Sequence, residues 1–228
     1  MSKPKDPGPI WPSSKFDQAG FPLRHVRKLL AVMRGDAEGA EGDLRESKSL
    51  LRWPAPEAAK MEKALERLKD PEGGVVIFAG PRGTGKTQMA TDLALVYHRD
   101  QELDESLPEH YRDTMRYYPM ADLYEAEKAA WNRREGGNAG PLLTAGGCGF
   151  LVLDEIQDVM HSEWEKVQLT RLFDRRYANV KRTIMITNMK SDGLRKHLGE
   201  SMWSRIREIG LLVELAGRNY RHTKGQKS

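Results

Sequence analysis

The feature that most constrains this chain is the stretch Val75-Val76-Ile77-Phe78-Ala79-Gly80-Pro81-Arg82-Gly83-Thr84-Gly85-Lys86-Thr87. A β-branched and aromatic apolar run stops at Gly80, and Gly80 to Thr87 complete the pattern Gly, any four, Gly, Lys, Ser or Thr. Backbone N–H groups that curl around an anion need φ values and close approaches that a Cβ would block, and Gly80, Gly83 and Gly85 remove that obstacle. Lys86 is then expected to reach the β- and γ-phosphates and the Thr87 hydroxyl to ligate Mg²⁺. The helix that starts there turns its positive end toward a triphosphate. Met89, Ala90, Leu93, Ala94, Val96 and Tyr97 follow at helical spacing, so strand, loop and helix stand in order. The expected ATP-binding residues are Gly80, Pro81, Arg82, Gly83, Thr84, Gly85, Lys86, Thr87 and Gln88.

A chain of 228 residues with 39% hydrophobic content can bury one sizeable core, so one main domain is expected. The formal net charge of +4 fits a polyanionic partner but argues for it only weakly. Cys148 is the single cysteine, which excludes an intramolecular disulfide and a cysteine-rich metal site. The six histidines are scattered without metal-ligand spacing. No stretch reaches the roughly 18 apolar residues of a membrane span, so a cytoplasmic setting with no membrane partner is expected.

Along the chain, residues 1–17 carry Pro4, Pro7, Pro9 and Pro12 and read as a flexible arm. Residues 18–72 read as a helical segment. Val26, Leu29, Leu30 and Met33 share one face there, residues 35–49 form a polar loop, and a second amphipathic helix follows Pro56. That helix buries Ala58, Met61, Leu65 and Leu68 before Asp70-Pro71 stops it. Residues 73–221 read as the core and 222–228 as a basic tail. Within the core, His98 to Asp113 reads as a polar surface excursion and Met115 to Tyr118 as a short strand. Residues 121–133 read as a helix with Leu123, Ala126, Ala130 and Trp131 as its apolar positions, broken by Gly136, Gly137, Gly140 and Pro141. The run Phe150-Leu151-Val152-Leu153, apolar on both faces, suits a central parallel strand. Ser162 with Glu165 forms a capping box for a helix carrying Trp164, Leu169, Leu172 and Phe173. A strand over Thr183 to Thr187, helical patterns at 194–198 and 201–209 closed by Gly210, and a last strand at 211–215 complete an α/β parallel sheet with helices on both faces.

Ligands of such sheets sit beyond the strand C-termini. Asp154-Glu155 ends one strand there as the phosphate loop follows another. Asp154 is expected to hold Mg²⁺, directly or through water. Glu155 is expected to orient or deprotonate the water attacking the γ-phosphate, a role worth roughly 10²–10⁴ in rate. Asn188, at the tip of the Thr183–Thr187 strand, is placed to hydrogen-bond the γ-phosphate or that water, or else serves as a turn residue. Asn188-Met189-Lys190-Ser191-Asp192 resembles a guanine-reading pattern, but its order is wrong, which argues against a GTPase.

A family resemblance rests on these residues and several more. They are Gly20-Phe21-Pro22 with Arg24; the phosphate loop; Ala121-Asp122-Leu123; Leu151 to Glu155; Asp174-Arg175-Arg176-Tyr177; Thr183 to Asn188; Ser204-Arg205-Ile206; and Gly217-Arg218-Asn219-Tyr220-Arg221. Over about residues 18–221 the chain resembles a P-loop NTPase of the AAA+ class, and within it the clade of bacterial replicative helicase loaders and transposition ATPases (DnaC/IstB-like). The resemblance implies that Asn188 is the first sensor and Arg205 the arginine finger, inserted into the ATP site of a neighbouring subunit. A guanidinium there is worth roughly 10³–10⁵ in rate, and activity then requires a homo-oligomer. By the same analogy Phe21 to Arg24 wall an adenine pocket. Two departures stand out. Loaders of this clade usually carry a separate N-terminal helicase-binding domain where this chain has a short proline-rich arm. Many members also have a second aspartate where this chain has Glu155, and a glutamate favours competent hydrolysis. Too few residues follow Tyr220 for a C-terminal helical lid with a second sensor arginine.

The expected catalytic residues are therefore Glu155, Asn188 and Arg205, the metal ligands Thr87 and Asp154, and the cofactors ATP and Mg²⁺. The expected function is an ATPase of phage or mobile-element replication that binds DNA, single strands favoured, and loads or remodels a replicative helicase. The alternatives are an accessory ATPase that coats duplex DNA and recruits a transposase, and a scaffold that holds ATP without turnover. Lys181, Arg182, Lys190, Arg195 and Lys196 are the candidate DNA-facing cations.

Overall fold

The computed structural model describes residues 18–26, 53–103, 114–133 and 140–216. Strands β1 (Val75–Ala79), β2 (Met115–Pro119), β3 (Phe150–Asp154), β4 (Arg182–Thr187) and β5 (Gly210–Glu214) form one sheet in the order β2-β3-β4-β1-β5. Every neighbouring pair is parallel. Parallel neighbours need crossovers, and these are supplied by α2 (Lys86–Leu103), α3 (Met120–Asn132), α4 (Pro141–Gly147), α5 (Glu163–Ala178) and α6 (Ser191–Ile209), with α1 (Ala55–Lys69) preceding β1. Because β4 lies between β3 and β1, Asp154, Thr187 and Ala79 end adjacent strands.

The continuous apolar runs of β1 and β3 are buried along their whole length, as strands covered on both faces must be. Alternation divides their side chains between two layers. Val76, Phe78, Phe150, Val152, Ile184 and Ile186 meet Met61, Leu65 and Leu68 of α1 and Met89 and Leu93 of α2, and Ala19, Phe21 and Val26 join them. Val75, Ile77, Leu151, Leu153 and Met185 meet Leu123, Leu169, Phe173, Leu194 and Ile206 from the helices of the other face. Each such Leu, Ile or Phe contributes roughly 1.5–3 kcal/mol by leaving water.

The capping box at Ser162 and Glu165 forms as expected, with hydrogen bonds in both directions. The two helical patterns after β4 run together as α6 with a kink at Gly199, where φ is 78°. Two expectations need correction and a third is extended. The polar run from His98 is not a surface excursion at its start: α2 continues to Leu103, and His98 and Arg99 are buried. Arg99 pairs with Asp100 at 2.9 Å, and Lys69 of α1 donates to the same carboxylate at 2.5 Å, so neighbouring charges carry the helix across a polar stretch. On α3, Trp131 is 62% exposed and Ala126 is exposed, while Glu127 is buried. The Glu127 carboxylate accepts the Trp131 indole N–H at 3.0 Å and the Leu142 backbone N–H at 2.9 Å, so a helix face that looks apolar serves instead to cap its successor. Gly140-Pro141, expected only as a breaker, also starts α4, because proline at the first helical position gives up a donor that had no partner there. The arm at 1–17, the positions Leu29, Leu30 and Met33, the loop at 35–49, Gly136-Gly137, and the Gly217–Arg221 motif with the tail lie outside the described residues. No helix among the described residues is long and apolar enough to cross a membrane.

Candidate nucleotide site

The loop after β1 has the backbone that its glycines foreshadow. Gly80, Gly83 and Gly85 have φ of 141°, 86° and 90°, values that a Cβ disfavours. At Gly80 a Cβ would also stand 2.2 Å from the Leu215 carbonyl oxygen beyond β5. Within the loop the Thr84 hydroxyl donates to the Pro81 carbonyl at 3.0 Å. Pro81 and Arg82 are exposed. Lys86 is buried, and its ammonium donates to the Gly80 and Pro81 carbonyls at 2.7 Å each. The cation thus lies folded against the inner rim of its own loop, where oxygen acceptors of a ligand can replace the two carbonyls.

At the end of β3 the Thr87 hydroxyl donates to Asp154 Oδ2 at 2.9 Å. The sequence therefore brought loop and acid to one sheet edge correctly. Glu155 is exposed and sits in the left-handed region at φ 57°, ψ 43°, a conformation that costs a non-glycine residue on the order of 1–2 kcal/mol. Its N–H donates to Asp154 Oδ1 at 2.8 Å, which ties the two acids into one turn. Tyr117 of β2 was not anticipated: its hydroxyl donates to Asp154 Oδ2 at 2.5 Å. Burial, reinforced by the Asp154 charge, pushes the Tyr117 phenol far above its ordinary value, so it remains a donor. A hydroxyl and a carboxylate in contact suit a hard divalent cation that completes its shell with waters and phosphate oxygens. Among the described residues no group of three His, Cys, Asp or Glu could hold a metal unaided.

Asn188 follows β4, between the ends of β3 and β1, and its N–H donates to Gln157 Oε1 at 3.0 Å. Gln157, in the 3₁₀ turn Ile156–Asp158 behind Glu155, was also not anticipated. Gln88 lies next to Thr87, but its side chain is engaged elsewhere. It meets His25 Nδ1 at 2.8 Å and donates to the His25 carbonyl at 3.2 Å and to Asp92 at 2.9 Å. Arg205 is not brought to the loop. It pairs with Asp174 of α5 and stacks over the Tyr177 ring at 5.7 Å. It lies late in α6, which runs back toward Gly210, the register partner of Val75 where the strands begin. Of the candidate DNA-facing cations, Arg182 donates to the Leu68, Asp70 and Val180 carbonyls, and Arg195 pairs with Glu200 at 2.8 Å. Both are committed within the chain.

No protein-family model matches the chain. It is 29% identical over 152 residues to the replicative helicase loader DnaC of Escherichia coli (strain K12), covering 64% of this chain and 56% of that relative. The chain spans about half the length of the curated relatives it matches. A crystal structure of the DnaC helicase loader superposes with a TM-score of 0.57 at 23% identity, covering 69% of this chain and 87% of that one. The replication initiator DnaA bound to AMPPCP and single-stranded DNA superposes with a TM-score of 0.56 at 18% identity, covering 75% and 50%. Sheet order, phosphate loop and paired acids define a P-loop protein of the AAA+ fold. Within that fold, the chain is similar to the DnaC helicase loaders in both sequence and structure.

Proposed function

We propose that this chain is an ATPase that binds ATP and Mg²⁺ between its phosphate loop and Asp154, assembles with copies of itself, engages DNA with single strands favoured, and loads or remodels a replicative helicase. The observation that carries the reading is the 2.9 Å contact between Thr87 and Asp154 beside a loop of positive-φ glycines. Support for the task comes from relatives named as replicative helicase loaders and from a neighbour named as bound to single-stranded DNA.

The residues fit the cofactors. Loop N–H groups and Lys86 would hold the phosphates, with Lys86 exchanging the Gly80 and Pro81 carbonyls for charged oxygens that bind an ammonium more strongly. Thr87 and Asp154 would hold Mg²⁺, whose role is to neutralise charge on the phosphate oxygens. Glu155, fixed by its own N–H on Asp154, orients a water or takes its proton. Asn188, held by Gln157 between the two strand ends, steadies the same water or the terminal phosphate. Arg205 serves a neighbouring copy once its guanidinium leaves Asp174.

The test mixes the full chain with ATP, Mg²⁺, single- or double-stranded DNA and the replicative helicase of its host. The reading expects ATP-dependent retention of the helicase, tighter binding to single strands, and phosphate release that rises with protein concentration. Filaments on duplex DNA without helicase retention would replace the loader assignment with a transposition role, and absence of phosphate release would leave a nucleotide-holding scaffold.

A further inference from the structure

We infer that Tyr117 is a positioning residue for Asp154, and that residues 18–26 set the divalent-cation affinity of the site by holding Tyr117 in place. The inference rests on the ATP-site reading above and adds to it a residue and a control that the sequence pattern does not contain.

The Asp154 carboxylate is fixed by three donors. The Glu155 N–H holds Oδ1 at 2.8 Å, while the Thr87 and Tyr117 hydroxyls share Oδ2 at 2.9 and 2.5 Å. Glu155 and Thr87 belong to the acid turn and the phosphate loop, the segments that would meet a bound nucleotide. Tyr117 comes from β2, beyond β3 from the loop, and supplies the one of these contacts that originates outside the nucleotide-binding segments. It fixes the rotation of the carboxylate before a ligand arrives.

Tyr117 is in turn held by the segment that precedes the sheet in sequence. Its backbone N–H donates to the Ala19 carbonyl at 2.7 Å, and its ring packs on Phe21 with centroids 5.3 Å apart at 42°. Gly20 permits this approach: its φ is +85°, and a Cβ there would stand 2.7 Å from the Tyr117 carbonyl oxygen. Phe21 and Tyr117 are both buried, so the docking excludes water from the hydroxyl–carboxylate contact and strengthens it. The same segment reaches the other half of the site through His25, which meets Gln88, the residue after Thr87. One short segment therefore grips both protein ligands of the cation through their immediate neighbours. If it lifts away, Asp154 loses an orienting donor while the phosphate-binding amides remain.

Partners that orient a metal-ligating carboxylate typically affect metal affinity about 10–100-fold when removed. The test is equilibrium binding of a fluorescent ATP analogue to the full chain, once in EDTA and once over a Mg²⁺ titration. For Tyr117→Phe, which keeps the ring on Phe21 and removes only the hydroxyl, affinity in EDTA stays at the wild-type value and half-saturating Mg²⁺ rises about 10-fold or more. Phe21→Ala keeps the hydroxyl and removes its support; it shifts the Mg²⁺ requirement in the same direction by less, and it carries the test if Tyr117→Phe is isolated unfolded. Unchanged Mg²⁺ dependence in a folded Tyr117→Phe protein, or an equal loss of affinity with and without Mg²⁺, overturns the positioning role. An unchanged requirement in Phe21→Ala overturns the link to residues 18–26. A wild-type chain that binds no nucleotide in either arm defeats the ATP-site reading instead, a failure visible before any variant is made.

Discussion

Two buried polar clusters sit at opposite ends of β3 and β4, and they are built on opposite rules. Where these strands begin, Arg176 of α5 donates from Nε to the Thr183 hydroxyl at 2.9 Å, from Nη1 to the Ala145 and Cys148 carbonyls at 2.7 Å, and from Nη2 to the Arg182 carbonyl at 2.6 Å. Where they end, Asp154 gathers its three donors beside a strained Glu155 and a lysine bent onto its own loop. Arg176 is 1% exposed and Asp154 6%, so burial does not distinguish them. The difference lies in what each could exchange. The arginine binds carbonyls fixed by α4, the turn before β3 and the start of β4, and no incoming group could improve on them without unfolding the surroundings. The acid end keeps an exposed carboxylate in an unfavourable backbone conformation and a lysine hydrogen-bonded to two loop carbonyls that ligand oxygens could replace. One cluster fastens the helices to the sheet, and the other is the cluster proposed to take a ligand.

The sharpest way to break this contrast is Glu155→Gln, which should slow ATP hydrolysis roughly 10²–10⁴-fold while leaving ATP affinity and thermal stability at wild-type values. Normal turnover would remove Glu155 from the chemistry. At the other end, Arg176→Met should cost about 3–5 kcal/mol in denaturant unfolding, because several buried carbonyls lose their donor together. A loss below about 1 kcal/mol would mean that water satisfies those carbonyls and that the cluster is not a fastening. Thr183→Val should cost less, about 1–3 kcal/mol, by leaving the Arg176 Nε without this acceptor. Its nucleotide affinity should not change, and a change would couple the two ends. The smallest effect has the opposite sign. Glu155→Gly should gain about 1 kcal/mol by relieving the left-handed conformation in a protein that no longer hydrolyses ATP, and a loss of stability would show that the strain is not there.

Much of the acid end was legible in the sequence because its parts are local. A glycine-spaced loop, an apolar run before it and an acid pair closing a second run each announce themselves within a few residues, and parallel topology brings their ends together. Tyr117 and Gln157 were hidden because each acts across strands or turns whose adjacency no short pattern records. Arg176 left a trace that could have been read: positions 169, 172, 173 and 176 form one helical stripe, and an arginine occupies the place where a fourth apolar residue would be expected. Trp131 shows the converse: it stands among the apolar positions of its helix yet is exposed, while the neighbouring Glu127 takes the interior as a cap for α4. Arg205 remains an implication of family likeness. Its contacts within this chain are with Asp174 and Tyr177, and the site it would serve belongs to another copy.

The account stands or falls on whether a triphosphate occupies the loop between β1 and α2. Isothermal titration of ATP and Mg²⁺ into the wild-type chain and into Lys86→Ala tests this most directly. Saturable binding by the wild type and none by Lys86→Ala is the predicted result. Equal affinity in the two proteins, with both folded, would contradict it.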